Sequence, residues 1–165
     1  MRKIAFGLAM GLVGLSSTAF AATTTGSFLV KIKIIDNCVF TTGGLTDLDF
    51  GTKGVLSAPL TLSSNIKVQC TTNTPYNISL DAGQSTGATT TTRKMTGPSF
   101  FMLINYALTR DAAGTQNWGN VIGTDTNGGT GTGAEVIFPI FAQIPAQTTP
   151  GAGSYSDTIA VTISY

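Results

Sequence analysis

The sequence predicts an all-β chain, folded as two packed sheets. Apolar residues return at every second position in one segment after another, which is the period of a half-buried strand. Between those segments lie stretches such as "TTGG", "DAGQSTGATTTTRK", "TDTNGGTGTGA" and "PAQTTPGAG", made of turn formers. After the leading residues, no segment of useful length carries the 3.6-residue period of a helix.

The chain opens with "MRKIAFGLAMGLVGLSSTAFAA". Arg2 and Lys3 precede an apolar stretch from Ile4 to Leu15, and Ala19-Phe20-Ala21 has the small-x-small form of a signal-peptidase site. The stretch is shorter than the ~20 residues that span a bilayer. Residues 1–21 are therefore expected to be a cleaved export signal. About 144 residues would remain, enough for one domain with a core of its own. Loss of Arg2 and Lys3 from nine basic residues leaves seven against eight acidic ones, a net charge of −1. That balance offers no basic face for nucleic acid. Low charge with many Gly and Thr fits an exported β protein.

Next comes "GSFLVKIKIIDNC", in which Phe28, Val30, Ile32 and Ile34 share one parity and Lys31 and Lys33 the other. From the residues alone this run is equally the first strand of a complete sandwich or a spare strand that precedes one. Cys38 and Cys70 are the two cysteines, and there is no histidine. An even count in an exported chain points to a disulfide, whereas a structural zinc site would want four N or S ligands. A short strand should follow Cys38, and another is expected near "LTDLDFG". In "LTLSSNIKVQC", Leu60, Leu62, Ile66, Val68 and Cys70 line one face. "YNISLDAG" gives Tyr76, Ile78 and Leu80, and "FFMLINYAL" gives Phe100, Met102, Ile104, Tyr106 and Leu108. "AEVIFPIFAQI" gives Val136, Phe138, Ile140 and Ile144, with Pro139 marking a bulge or an edge. "YSDTIAVTISY" closes the series with Ile159, Val161, Ile163 and Tyr165. The count falls near the seven strands of an immunoglobulin-like sandwich, with a gap at one edge and a spare strand at the N-terminus.

Catalytic arrangements are few. Without histidine, Ser-His-Asp and Cys-His constellations cannot form. Asp47 with Asp49, and Asp111 with Asp125, remain as carboxylate pairs, and solvated turn carboxylates account for them as well. "DTNGGTGTG" lacks the strand and helix context of a phosphate loop and the ligand pattern of an EF-hand. Trp118, in the turn-like "NWGN", is one ring where a carbohydrate platform wants several. Asn77-Ile78-Ser79 is a formal glycosylation sequon inside a strand pattern. The expectation is no enzyme, no cofactor, no metal and no small-molecule substrate.

The order of "LTDLDFGT", "VQCTTNTPYNISLDAG", "RKMTG", "YALTRDAAGTQNWGN", "GTGTGAEVIFPIFAQIPA" and "GSYSDTIAVTISY" resembles the spore coat protein U domain family, which includes archaic chaperone–usher pilus subunits. The resemblance runs over the whole mature chain and departs from the family pattern at "FPIF". It implies an incomplete, immunoglobulin-like Greek-key β-sandwich over residues 36–165, preceded by a donor-strand extension over residues 22–35. Phe28, Val30, Ile32 and Ile34 would be donated to a neighbouring subunit. Ile159, Val161, Ile163 and Tyr165 would form the acceptor edge, which a periplasmic chaperone also binds. The implied partners are identical or homologous subunits, that chaperone and an outer-membrane usher. The implied destination is a surface pilus serving adhesion or biofilm formation. A self-complete secreted coat, matrix or carbohydrate-binding module is the alternative.

Overall fold

A computed structural model describes residues 20–99 and 101–165. The expected export signal, residues 1–21, thus lies almost wholly outside the described residues, as does Phe100. The chain divides into a leading unit that ends at Lys33 and a body, Ile34–Tyr165.

Among the described residues the body has eight strands: β1 (Cys38–Phe40), β2 (Leu60–Cys70), β3 (Pro75–Leu80), β4 (Arg93–Thr96), β5 (Leu103–Thr109), β6 (Asn127–Thr130), β7 (Glu135–Ile144) and β8 (Val161–Ser164). They form a five-stranded sheet in the order β1-β2-β7-β5-β4 and a three-stranded sheet in the order β6-β3-β8. Every pairing between them is antiparallel.

The period-two rows explain the core. Ile66 and Val68 on β2 stand opposite Phe138 and Val136 on β7, and Leu108 on β5 stands opposite Ala142. Tyr76, Ile78 and Leu80 supply the facing row from β3 and are buried. Tyr76 and Phe138 meet across the sheets edge to face, with ring centroids 6.2 Å apart. Trp118 is fully buried and ties the two sheets together. Its backbone N–H donates to Leu108 O of β5 at 3.0 Å, and its Nε1–H to Ile78 O of β3 at 2.9 Å. The ring is a core anchor, not part of a surface platform. Sγ atoms of Cys38 and Cys70 are bonded, joining β1 to β2 at directly opposed positions. A closed loop of this length stabilises a fold by roughly 3–4 kcal/mol in the chain-entropy account.

Several sequence expectations are corrected. Leu45–Gly51 forms no strand; Leu48 and Phe50 instead pack against the core from an irregular segment. β4 begins at the end of one stretch read as a turn and β6 lies within another, because pairing to β5 and β3 outweighs weak strand preference such as that of "NGGT". β5 begins at Leu103, so Met102 precedes it, and Ile159 likewise precedes β8. Pro139 makes no bulge. The β2–β7 register runs unbroken from Leu60↔Ile144 to Gln69↔Glu135, with Pro139 opposite Asn65. On its other side β7 pairs with β5 only from Phe141 to Gln143. Pro139 therefore lies where that flank has no strand partner, and a proline fits an unbroken ladder with its nitrogen on such a side.

Arg93 carried no signal of burial in the sequence, yet it is fully buried. Nε donates to Asp81 O at 2.8 Å, Nη1 to Thr90 O at 2.7 Å, and Nη2 to Trp118 O at 2.8 Å and Leu80 O at 3.3 Å. The side chain thus gathers the carbonyls of three separate segments around one cation. Burial lowers its pKa, while the ring of Tyr106 and the carboxylates of Asp81, Asp157 and Asp125 oppose that shift. Removing such a group leaves buried carbonyls without donors, each costing on the order of 1–3 kcal/mol. Arg93→Met should lower unfolding free energy by at least ~3 kcal/mol, whereas Lys94→Met on the partly exposed side should change it by tenths. Urea unfolding of the two variants gives the comparison, and equal midpoints would refute the anchoring role.

Candidate functional site

At one end of each sheet stands a strand with an unoccupied side, β1 in the first and β8 in the second. The inward row of β8 shows what that costs. Val161 stands opposite Leu80, and Ile163 opposite Ile78. Leu80 and Ile78 are 0% exposed, while Val161 and Ile163 remain half-buried on the same face. Ile159, just before the strand, is half-buried too, and all three pack against the core. On β1, Phe40 faces inward opposite Val68 and is likewise half-buried. The two end strands thus present apolar side chains that the core covers on one side.

Tyr165 is 58% exposed, and its hydroxyl donates to Asn37 Oδ1 at 3.2 Å. That bond links the residue after β8 to the residue before β1. At the other end of β8, two carboxylates guide the chain from the first sheet into the second. Thr96 bridges to Ser156 beside β4. Asp157 then accepts from Gln84 N–H at 2.8 Å, Thr158 N–H at 2.9 Å and the Tyr106 hydroxyl at 2.7 Å. Asp81 accepts from Gly83 N–H and from Ala160 N–H, each at 3.0 Å. Gly83 has φ +84°, and a Cβ there would strike the Asp157 carboxylate, so the turn requires glycine. Sequence reasoning missed these acids; each is one carboxylate in a turn, with nothing local to mark it.

Of the carboxylates weighed as catalytic, Asp49, Asp111 and Asp125 serve turns. Asp49 accepts from Gly51 N–H. Asp111 accepts from Gln116 N–H and from Thr115 N–H and Oγ1–H; the first of these bonds leads in holding its pKa below the ordinary value. Asp125 accepts from Val121 N–H and Asn117 Nδ2–H.

In the leading segment, residues 20–37 carry no strand. Phe28 is 90% exposed and Ile32 86%, and Val30 and Ile34 are exposed as well. Lys31 and Lys33 are exposed between them.

The Spore Coat Protein U domain profile matches residues 24–162, across both the segment and the body. The chain belongs to the spore coat protein U domain family. This family member is 28% identical over 160 residues to Protein U of Myxococcus xanthus, covering 90% of this chain and 89% of that protein. Its fold is that of solved pilus assemblies. It superposes with a TM-score of 0.57 and 22% identity on a chain of the chaperone–tip adhesion subunit pre-assembly complex from archaic chaperone–usher Csu pili of Acinetobacter baumannii. That match covers 80% of this chain and 40% of the other. A chaperone–usher pilus structure matches with a TM-score of 0.54 and 10% identity, over 90% of this chain and 99% of that one.

Beside the turn that leads into β8, Tyr106 supplies a titration signature. Burial first, then its hydrogen bond to the Asp157 carboxylate, raises the Tyr106 pKa well above the ordinary phenol value; burial raises Tyr76 as well. A folded pKa above the unfolded one stabilises the fold fully below the unfolded value, and that contribution is lost as pH rises through the folded value. Stability should be level through neutral pH and fall above pH ~10, by at most about 1.4 kcal/mol per pH unit for each tyrosine. Tyr106→Phe should flatten this alkaline limb. Chemical denaturation at a series of pH values measures it, and an unchanged limb in the variant would refute the assignment.

Proposed function

We propose that this protein is a structural subunit of a surface pilus, assembled by donor-strand exchange along a chaperone–usher pathway. The observation that carries the reading is a match within one chain: an apolar row left half-covered on β8 and β1, and a second apolar row left exposed on residues 28–34. Phe28, Val30, Ile32 and Ile34 of one copy would lie beside Val161 and Ile163 of the next, turning Lys31 and Lys33 to solvent. Strand addition of this kind gains backbone hydrogen bonds along an open edge and side-chain burial beneath it. Four such side chains at roughly 1.5–3 kcal/mol each contribute on the order of 6–12 kcal/mol before ordering costs.

Membership of the spore coat U family and the fold shared with chaperone–usher subunits support the same reading. An apolar edge on an exported monomer is an aggregation hazard, so a periplasmic chaperone would lend a strand until a neighbour replaces it. An outer-membrane usher would then pass the growing polymer to the cell surface, where it would serve adhesion or biofilm formation.

Two single substitutions test the donation. Ile32→Asp places a carboxylate in an apolar groove, at a cost of several kcal/mol. Lys31→Asp changes charge on the solvent side and should cost only tenths. The Ile32 variant should reach the periplasm folded and chaperone-bound, because its own body is untouched, yet yield no surface polymer ladder in mild detergent. The Lys31 variant should give normal ladders. Normal ladders from Ile32→Asp, or loss of its chaperone complex, would instead favour a self-complete coat module.

A further inference from the structure

Between the apolar run ending at Ile35 and β1 stands the pair Asp36-Asn37. A two-residue link of this composition, flanked by two strand-forming runs, is a hairpin signal. A hairpin here would lay the leading segment beside β1, on the side that faces away from β2, and so cover the chain's own open edge. The structure does otherwise. Residues 35–37 make no turn, and among the described residues Asn73 is the one non-glycine with positive φ. A two-residue hairpin would need positive φ at Asp36, and in its type I′ form at Asn37 as well.

What holds them extended is the turn that follows β2. Thr71 N–H donates to Asn37 O at 2.9 Å, continuing the ladder one step beyond Cys38↔Cys70. Thr71 Oγ1 lies 3.1 Å from Ile35 O and 3.3 Å from Asn37 O, reaching both carbonyls. Thr74 is buried, and its Oγ1 donates to Asp36 Oδ1 at 2.8 Å. Asn37 Oδ1 is occupied by the Tyr165 hydroxyl. The side chains and carbonyls that would shape a turn at Asp36-Asn37 are thus committed elsewhere.

We propose that Thr71 and Thr74 are positioning residues that keep Ile35–Asn37 extended, so that the leading segment cannot fold back into its own open edge and is reserved for a second copy of this chain. The proposal rests on the donor-strand reading above and adds what decides between donation to self and donation to a neighbour. Removing both hydroxyls frees Asp36 and the Ile35 carbonyl for the turn, while valine keeps the shape of threonine.

The test compares wild type, the double variant Thr71→Val/Thr74→Val and the hydroxyl-retaining Thr71→Ser/Thr74→Ser, each as the full chain in its native host. Surface ladders, chaperone-free folded monomer and uptake of a labelled synthetic peptide of residues 26–36 are read in parallel. The valine variant should accumulate folded, chaperone-free monomer at least tenfold above wild type, lose its long ladders and refuse the peptide. The serine variant should match wild type. Deleting residues 22–34 in the valine background should restore peptide uptake, since the segment itself is the occupant. Wild-type ladders from the valine variant would overturn the proposal and leave donor exchange standing. So would a valine variant that loses ladders and folded monomer together, or one that still refuses peptide after the deletion. A wild type without ladders or peptide uptake would overturn both readings.

Discussion

A β-sandwich closes only when each inward-facing row has neighbours on both sides, and the row of Val161 and Ile163 has them on one. Their partners across the ladder, Leu80 and Ile78, are sealed completely, so the shortfall belongs to the edge and not to the residues. Valine and isoleucine half-exposed in a row are costly in water, and the backbone groups beside them remain available for pairing. Several contacts of the body fix where that edge lies. Asp81 and Asp157 set where β8 starts, and Asn37 and Tyr165 link its far end to β1.

The body tolerates an incomplete edge because its interior is cross-linked by more than apolar contact. Trp118 donates to strands of both sheets, and Arg93 collects carbonyls from the end of β3, the loop before β4 and the Trp118 segment. Bonds of this kind are directional, so they fix the placement of the sheets where apolar packing alone would permit sliding. The disulfide adds a covalent tie at the β1 side. These ties run through β3, β4 and β5 and through the β1–β2 pair.

The rows on β2, β3 and β7 were legible in the sequence because each alternates over several residues and buries one parity. The same rule carried the inward face of β5 and β8, although not their first residues. What escaped depends on partners distant in the chain. β6 reads "NGGT" and has no row to detect; it exists because β3 offers it hydrogen bonds. Leu48 and Phe50 alternate like a strand and yet pack from an irregular segment, since period two reports burial of one parity and not ladder pairing. Arg93 resembles any surface arginine until the carbonyls around it are known. Within the site, the exposed apolar parity of residues 28–34 was readable, whereas the carboxylates that orient β8 were not.

Pro139 bears on how many partners one such molecule can hold. For a protein that joins others by its strand edges, each usable edge is a valence. β6 is a second open edge, but Asn127 and Gly129 stand opposite Ile78 and Tyr76, so it offers no apolar side chains to bury a visitor. The flank of β7 beyond its pairing with β5 would be a third, with Ile137 exposed nearby, and there the proline withholds a backbone donor. On the proposed reading, one apolar opening and one leading strand would make a bifunctional monomer. Bifunctional monomers grow as threads; a third functional edge would make branches and then a gel.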